Sequence, residues 1–209
     1  MLKKYFDKIY CINLDRRTDK WSECESEFDK WGITNVERYS AIDGNEIDRT
    51  HNNQTNVNNG NLGLLLTHID IIKKSKVNGY SSVLLIEDDI TFSEKFSDLD
   101  NYMSLVPDDW DILYFGGNHN QHMGMKLEYV NDKVIKSIDT YTTHCFAIKN
   151  TMFDLVLNLL SKHKKPVDVY YSDIQKNFNC YSFYPGLASQ RPSFSDIQNK
   201  VMDNRWLIK

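Results

Sequence analysis

Hydrophobic spacing changes period several times along the chain. Residues 8–12 (Lys-Ile-Tyr-Cys-Ile) are a short apolar, β-favouring run broken by Asn13-Leu14-Asp15. Trp21, Cys24, Phe28 and Trp31 then recur at steps of three and four, which gives one apolar face to a helix that Gly32 stops. Residues 36–40 predict a second strand, closed by the turn Asp43-Gly44. Residues 45–61 are polar and rich in Asn, and predict a loop that either connects two elements or covers a ligand. Leu62, Leu65, Leu66, Ile69 and Ile72 place a second amphipathic helix over 62–78, with Gly79 as its stop. Residues 82–86 are a near-continuous apolar run that ends abruptly in carboxylates, the pattern of a strand buried on both faces. Residues 111–115 repeat that pattern ahead of Gly116-Gly117. A hairpin-like pair is predicted over 133–138 and 143–148, then helices over 151–161 and about 167–178, then an irregular tail from Pro185.

Strands alternating with helices predict an α/β fold: a single domain over residues 1–209, with a central, mostly parallel sheet flanked by helices. A hydrophobic fraction of 41% is enough for its core. The net charge of −4 argues against a nucleic-acid partner, although a few local cations suffice to hold one phosphorylated ligand. No apolar run is long enough to be a transmembrane segment, and none follows the basic start, so the expected location is the cytoplasm (the host cytoplasm for a viral source). Cys11, Cys24, Cys145 and Cys180 lack CxxC spacing and are expected to be reduced, partly buried thiols. The sequon at Asn53, with no secretion signal, reads as chance.

The sharpest chemical signal is Glu87-Asp88-Asp89, three carboxylates directly after a buried strand. In open α/β sheets ligands bind beyond the carboxyl ends of strands. Adjacent acids repel one another, and a divalent cation relieves that repulsion. Oxygen ligands of this kind suit Mn²⁺ or Mg²⁺, with diphosphate oxygens completing the shell. A solvated acidic turn is the plainer alternative. Asn13-Leu14-Asp15-Arg16-Arg17 joins the first strand to the first helix, where an arginine can fork onto phosphate oxygens or merely be solvated. No G-x-G-x-x-G follows that strand, and there is no Walker A lysine motif. His68 lies on an apolar helix face, where a lone histidine is more often a core residue than a ligand. His144 reads equally as a ligand or as half-buried. Asp168, at the start of a helix, is either an acid complementing the helix dipole or a general base. Tyr170, Tyr171, Tyr181, Phe183 and Tyr184 form a late aromatic cluster that core packing explains more simply than sugar stacking.

Taken in order, these blocks resemble glycosyltransferase family 25, which contains bacterial lipooligosaccharide galactosyltransferases and procollagen galactosyltransferases. Residues 12–17 (Ile-Asn-Leu-Asp-Arg-Arg) resemble the family's I-N-L-x-R-R opening, and Ala41-Ile42-Asp43-Gly44 its A-x-D-G turn. Residues 60–68 resemble G-x-x-G-C-x-x-S-H, with Leu64 in place of Cys and Thr67 in place of Ser. Residues 85–89 resemble the acidic motif and residues 109–116 the W-D-x-x-Y-x-G strand. Pro166-Val167-Asp168 and the segment from Tyr184-Pro185 to Ser195-Asp196 also correspond. The resemblance implies a GT-A-like fold, a UDP-galactose or UDP-glucose donor, a hydroxyl acceptor on a glycan or a collagen-like protein, and inversion at the anomeric carbon. Combined with the residue chemistry, it assigns Asp88 and Asp89 to the metal, and Asn13, Leu14, Arg17, His68, Glu87 and Asp88 to the donor. It makes Asp168 the base. A sugar-nucleotide nucleotidyltransferase or an inactive GT-A-like binding module is the alternative. The first should carry a glycine-rich phosphate loop, which residues 13–17 lack, and the second should have lost acids that are all present here.

Overall fold

The computed structural model describes residues 1–48, 57–120 and 123–208. Residues 49–56 of the loop expected over 45–61, including the Asn53 sequon, lie outside the described residues. Among the described residues the elements run β1 (Lys8–Asn13), α1 (Thr18–Lys30), β2 (Val36–Ser40), α2 (Asn59–Val77), β3 (Ser82–Glu87), β4 (Ile90–Phe92), α3 (Leu99–Ser104), β5 (Ile112–Tyr114), β6 (Glu128–Tyr129), β7 (Val134–Lys136), β8 (Cys145–Lys149), α4 (Phe153–Leu160), α5 (Val167–Gln175), β9 (Cys180–Phe183), β10 (Ala188–Ser195) and β11 (Lys200–Asn204).

The large sheet has the order β2-β1-β3-β8-β5-β9-β7-β6. The pairs β2/β1, β1/β3 and β5/β9 are parallel, and the other four are antiparallel, so β8 and β7 run against the remaining strands. This is the mostly parallel, helix-flanked α/β sheet that the strand–helix alternation predicts. Its central strands divide their side chains cleanly. Leu84 and Ile86 of β3 join a core with Cys24 and Phe28 of α1 and with Leu99 and Tyr102 of α3. Val83 and Leu85 join the opposite core with α2, α4 and α5. Each buried Leu, Ile or Val on these strands contributes about 1.5–3 kcal/mol relative to exposure. Burial on both faces is why the runs at 82–86 and 111–115 show no alternation.

Four expectations need correction. The segments 133–138 and 143–148 do not form a hairpin, because β5 and β9 lie between β7 and β8. Strand β8 is apolar on both faces and takes an interior place between β3 and β5. The tail from Pro185 is not irregular. Strand β10 pairs antiparallel with β4 and β11 in a second, three-stranded sheet. Its sequence, Ala-Ser-Gln-Arg-Pro-Ser-Phe-Ser, contains no apolar run and is interrupted by a proline, which hid the strand from a reading based on apolar runs. Helix α2 starts at Asn59, before the first apolar position, because the Asn58 side chain caps it by accepting from the Asn61 amide at 2.8 Å. All four cysteines are free and fully buried rather than partly so.

Candidate functional site

Strands β1 and β3 are paired so that Ile12 lies opposite Glu87, which brings Asn13 and the acidic triplet to one edge of the sheet. The Glu87 amide still donates to the His144 carbonyl, at 2.9 Å. Asp88 and Asp89 then carry the chain out of the large sheet and into β4 of the small one. A cleft partly open to solvent lies at this edge. Glu87, Asp88, Asp89 and Lys20 line its polar side, Leu14, Ala41, Ile42 and Leu64 its apolar side, and Ser195, Asp196 and Ile197 complete it.

The acids are held by donors from separate parts of the chain. Asn13 Nδ2 donates to Asp88 Oδ2 at 2.7 Å, and Asn13 Oδ1 accepts from Arg38 Nε at 2.8 Å. Lys20 Nζ, on the first turn of α1, lies 3.1 Å from Asp88 Oδ1 and 3.6 Å from Asp89 Oδ2. Gln190 Nε2, on β10, lies 3.1 Å from Asp89 Oδ1 and 3.2 Å from Glu87 Oε2. Thr143 Oγ1 donates to Glu87 Oε1 at 2.7 Å. The Arg191 guanidinium caps the Asp88 and Ile90 carbonyls from behind.

These surroundings set the charges. Burial, reinforced by Asp89 and Asp88, pushes the Glu87 carboxyl up to about 8. Burial also raises Asp88, although Lys20 and the Asn13 amide oppose it. Burial works against the Lys20 charge, but Asp89 and Asp88 outweigh it and leave its pKa above the ordinary value.

Of the residues the sequence singled out, Leu14, Glu87, Asp88 and Asp89 line the cleft. Asn13 supports it from beneath. Arg17 is not among the lining residues; it pairs with Asp19 and Asp196, while Arg16 reaches the cleft and pairs with Asp43 and Asp196, each at 2.8 Å. His68 is not brought to the cleft either. It is fully buried, with Nδ1 3.3 Å from the Tyr171 hydroxyl and its ring stacked on Phe146, and burial lowers its pKa to about 3, so it is a neutral core histidine. His144 is also buried, between the Thr142 hydroxyl and the Ala188 carbonyl. Tyr170, Tyr171, Tyr181 and Phe183 are core residues.

Asp168 opens α5, outside the cleft lining. Its Oδ1 accepts from the Val169 amide at 2.9 Å, its carboxylate also accepts from the Thr142 backbone, and burial raises its pKa. Thr142 has φ of 76°, a strained value for a β-branched residue. The same short loop carries Thr143, the partner of Glu87, so Asp168 and the acid triplet share one support. Thr67, the hydroxyl at the family's Ser position, accepts from the Ile42 amide at 2.9 Å and donates to the Gly63 carbonyl at 2.8 Å, which pins the 41–44 turn beside the cleft.

Lys20 and Gln190 were missed by sequence reasoning. A signal for Lys20 existed. It precedes Cys24 by four positions and Phe28 by eight, so it lies on the buried face of α1, where a lysine needs an acidic partner. Gln190 had none, because its strand was not recognised.

A two-core α/β fold with a charged cleft beyond the carboxyl ends of β1 and β3 has the layout of a ligand-binding α/β protein. The family description glycosyltransferase family 25 (LPS biosynthesis protein) matches residues 6–171, and the chain belongs to that family. It is 30% identical over 158 residues to a glycosyltransferase 25 family member of Aedes aegypti, covering 65% of this chain and 25% of that one. It is 26% identical over 140 residues to procollagen galactosyltransferase 2 of Mus musculus, covering 57% of this chain and 22% of that one. The chain thus spans about a quarter of the length of these relatives. Among solved structures, a glycosyltransferase involved in the glycosylation of the major capsid of PBCV-1 aligns over 74% of this chain and 65% of its own, at 10% identity and a TM-score of 0.40. Among the described residues no helix is long and apolar enough to cross a membrane.

Proposed function

We propose that this chain transfers a hexose, galactose or glucose, from a UDP-sugar to a hydroxyl on a glycan or a collagen-like protein, with inversion at the anomeric carbon. The observation that carries the reading is the two-sided cleft within the family match: carboxylates and Lys20 on one side, Leu14, Ala41, Ile42 and Leu64 on the other. The apolar side suits a flat nucleobase, and the polar side suits a diphosphate with its counter-charge.

The acid pair fits a divalent cation of the kind expected. Asp88 Oδ1 and Asp89 Oδ2 already converge on one cation, the Lys20 ammonium. Among the described residues no group of three His, Cys, Asp or Glu side chains gathers around a common point. Mg²⁺ and Mn²⁺ sites of the nucleotide-using type need only one or two carboxylates, the remaining ligands being water and phosphate. Asp88 and Asp89 would therefore hold Mn²⁺ or Mg²⁺, which when bound neutralises charge on the departing diphosphate. Asn13 and Gln190 keep the two aspartates in place. Asp168, raised by burial, accepts the proton of the acceptor hydroxyl as its oxygen attacks. Inversion needs one displacement, so one base and one stabilised leaving group suffice.

The test is a calorimetric and thermal-shift screen of UDP, UDP-galactose, UDP-glucose and UDP-N-acetylglucosamine, each with EDTA or Mn²⁺. Stabilisation by one UDP-hexose in the presence of Mn²⁺ is expected. No response to any nucleotide would move the chain to the class of inactive binding modules.

A further inference from the structure

We infer that Lys20 is a resident cation that holds the position between Asp88 and Asp89 that a divalent ion would take, and that it gives way when metal and donor arrive together. The inference rests on the donor-site reading above.

The argument starts from how each aspartate is tied. Asp88 has one oxygen fixed by Asn13, and its other oxygen faces Lys20. Asp89 has one oxygen fixed by Gln190, and its other oxygen faces Lys20, with the Ser193 hydroxyl at 3.5 Å. The fixed oxygens hold both carboxylates in place whether or not the lysine is present. The two free oxygens form the place for a cation, and the Lys20 ammonium fills it. Lysine is rarely buried, yet this residue is only 5% exposed. It lies on a helix face that packs through Cys24 and Phe28, so its stem is held by the core and only its tip is exchangeable.

A divalent ion seeking the same two oxygens meets a positive charge already there. Lys20 therefore weakens metal binding when no donor is bound. It also lines the cleft, so an arriving diphosphate offers the displaced ammonium a new anionic partner. Metal and donor then bind cooperatively, because each favours the arrangement in which the lysine has turned from the aspartates to the phosphates. Coupling of this kind is reciprocal and typically amounts to about 5–150-fold in affinity.

The experiment is Mn²⁺ titration of EDTA-stripped protein, followed by electron paramagnetic resonance, for the wild type, Lys20→Met and Lys20→Arg, with and without UDP. In Lys20→Met, Mn²⁺ alone should bind about tenfold more tightly than in the wild type, and the further tightening caused by UDP should shrink. Lys20→Arg should behave like the wild type. Equal or weaker Mn²⁺ binding in Lys20→Met overturns the inference, as does absence of Mn²⁺ binding in both proteins. Should Lys20→Met fail to fold, the ammonium resonance of Lys20 in the wild type decides. It should move as Mg²⁺ and UDP are added together, and a resonance that stays put overturns the inference. If UDP-sugars bind normally while Lys20→Met leaves Mn²⁺ affinity unchanged, only this inference fails. If Mn²⁺ binds as expected and no UDP-sugar binds, the functional reading fails instead.

Discussion

The acids after β3 and the acid that opens α5 are held by different kinds of partner. Glu87, Asp88 and Asp89 take side-chain donors from α1, β1, β10 and the loop before β8. Asp168 takes backbone amides, from Val169 beside it and from the strained Thr142. A side-chain donor can rotate away and be replaced by a ligand at little cost to the fold. A backbone amide moves only with its loop, and a strained residue persists only where its surroundings over-determine it. The first arrangement suits an exchange of charge partners as donor and metal come and go. The second suits a fixed acid–base group whose position must not drift. Burial raises both Asp88 and Asp168, but only Asp88 has a lysine to oppose the rise.

That contrast breaks most visibly at Asp168. Asp168→Asn should lower kcat by about 10²–10⁴-fold while donor affinity stays within about twofold of the wild type. Steady-state transfer assays beside calorimetry check it, and transfer at the wild-type rate would remove Asp168 from the base role. In the wild type the acid limb of the pH–rate profile should lie above the ordinary aspartate range, because the carboxyl must be ionised to accept a proton and burial raises its pKa. Next in size is Asp89→Ala. Loss of a charged ligand should weaken Mn²⁺-dependent donor binding by about 10–100-fold in a protein that still melts cooperatively. Unchanged binding would take Asp89 out of the site. Gln190→Leu is milder. Freeing Asp89 Oδ1 and Glu87 Oε2 from their shared amide should cost about tenfold in metal affinity, in the range of outer-shell partners of metal ligands. A wild-type affinity would show that the aspartates hold their positions without β10.

The same contrast explains what was legible in the sequence. The acid triplet could be read because β3 is buried on both faces, so a run of Val, Leu and Ile ending in carboxylates marks a strand edge. Asp168 could be read because a helix start after Pro166 places an acid where the helix dipole favours it. What supports them could not be read. Gln190 arrives on a strand with no apolar run to mark it, and Thr142 owes its role to a backbone angle that no side-chain pattern encodes. Arg17 and His68 lie off the cleft lining for related reasons. Of two adjacent arginines, only the direction of the α1 entry decides which reaches the cleft. His68 has Tyr171 and Phe146 as neighbours only because α5 and β8 return to the same core.

The smallest effect, and the one with a definite sign, belongs to Glu87. Its folded-state pKa is raised to about 8 from an ordinary 4.5, so the native state holds a proton that the unfolded chain has released over that interval. Stability of the metal-free protein should therefore fall as pH rises from about 4.5 to about 8, and Glu87 contributes no such fall below that window. Glu87→Gln keeps an acceptor for Thr143 and imitates the protonated acid, so it should lack this slope. Glu87 is partly open to the cleft, which tempers the magnitude. In EDTA the two proteins should melt together near pH 4.5. Near pH 8.5 the variant should be the more stable by about 1 kcal/mol, roughly 2–4 °C in a chain of this size. Parallel melting curves across the range would mean that the Gln190 amide and Lys20 already compensate the Glu87 charge. The acid triplet would then be compensated by its side-chain partners in a way that Asp168, still raised by burial despite its backbone amides, is not.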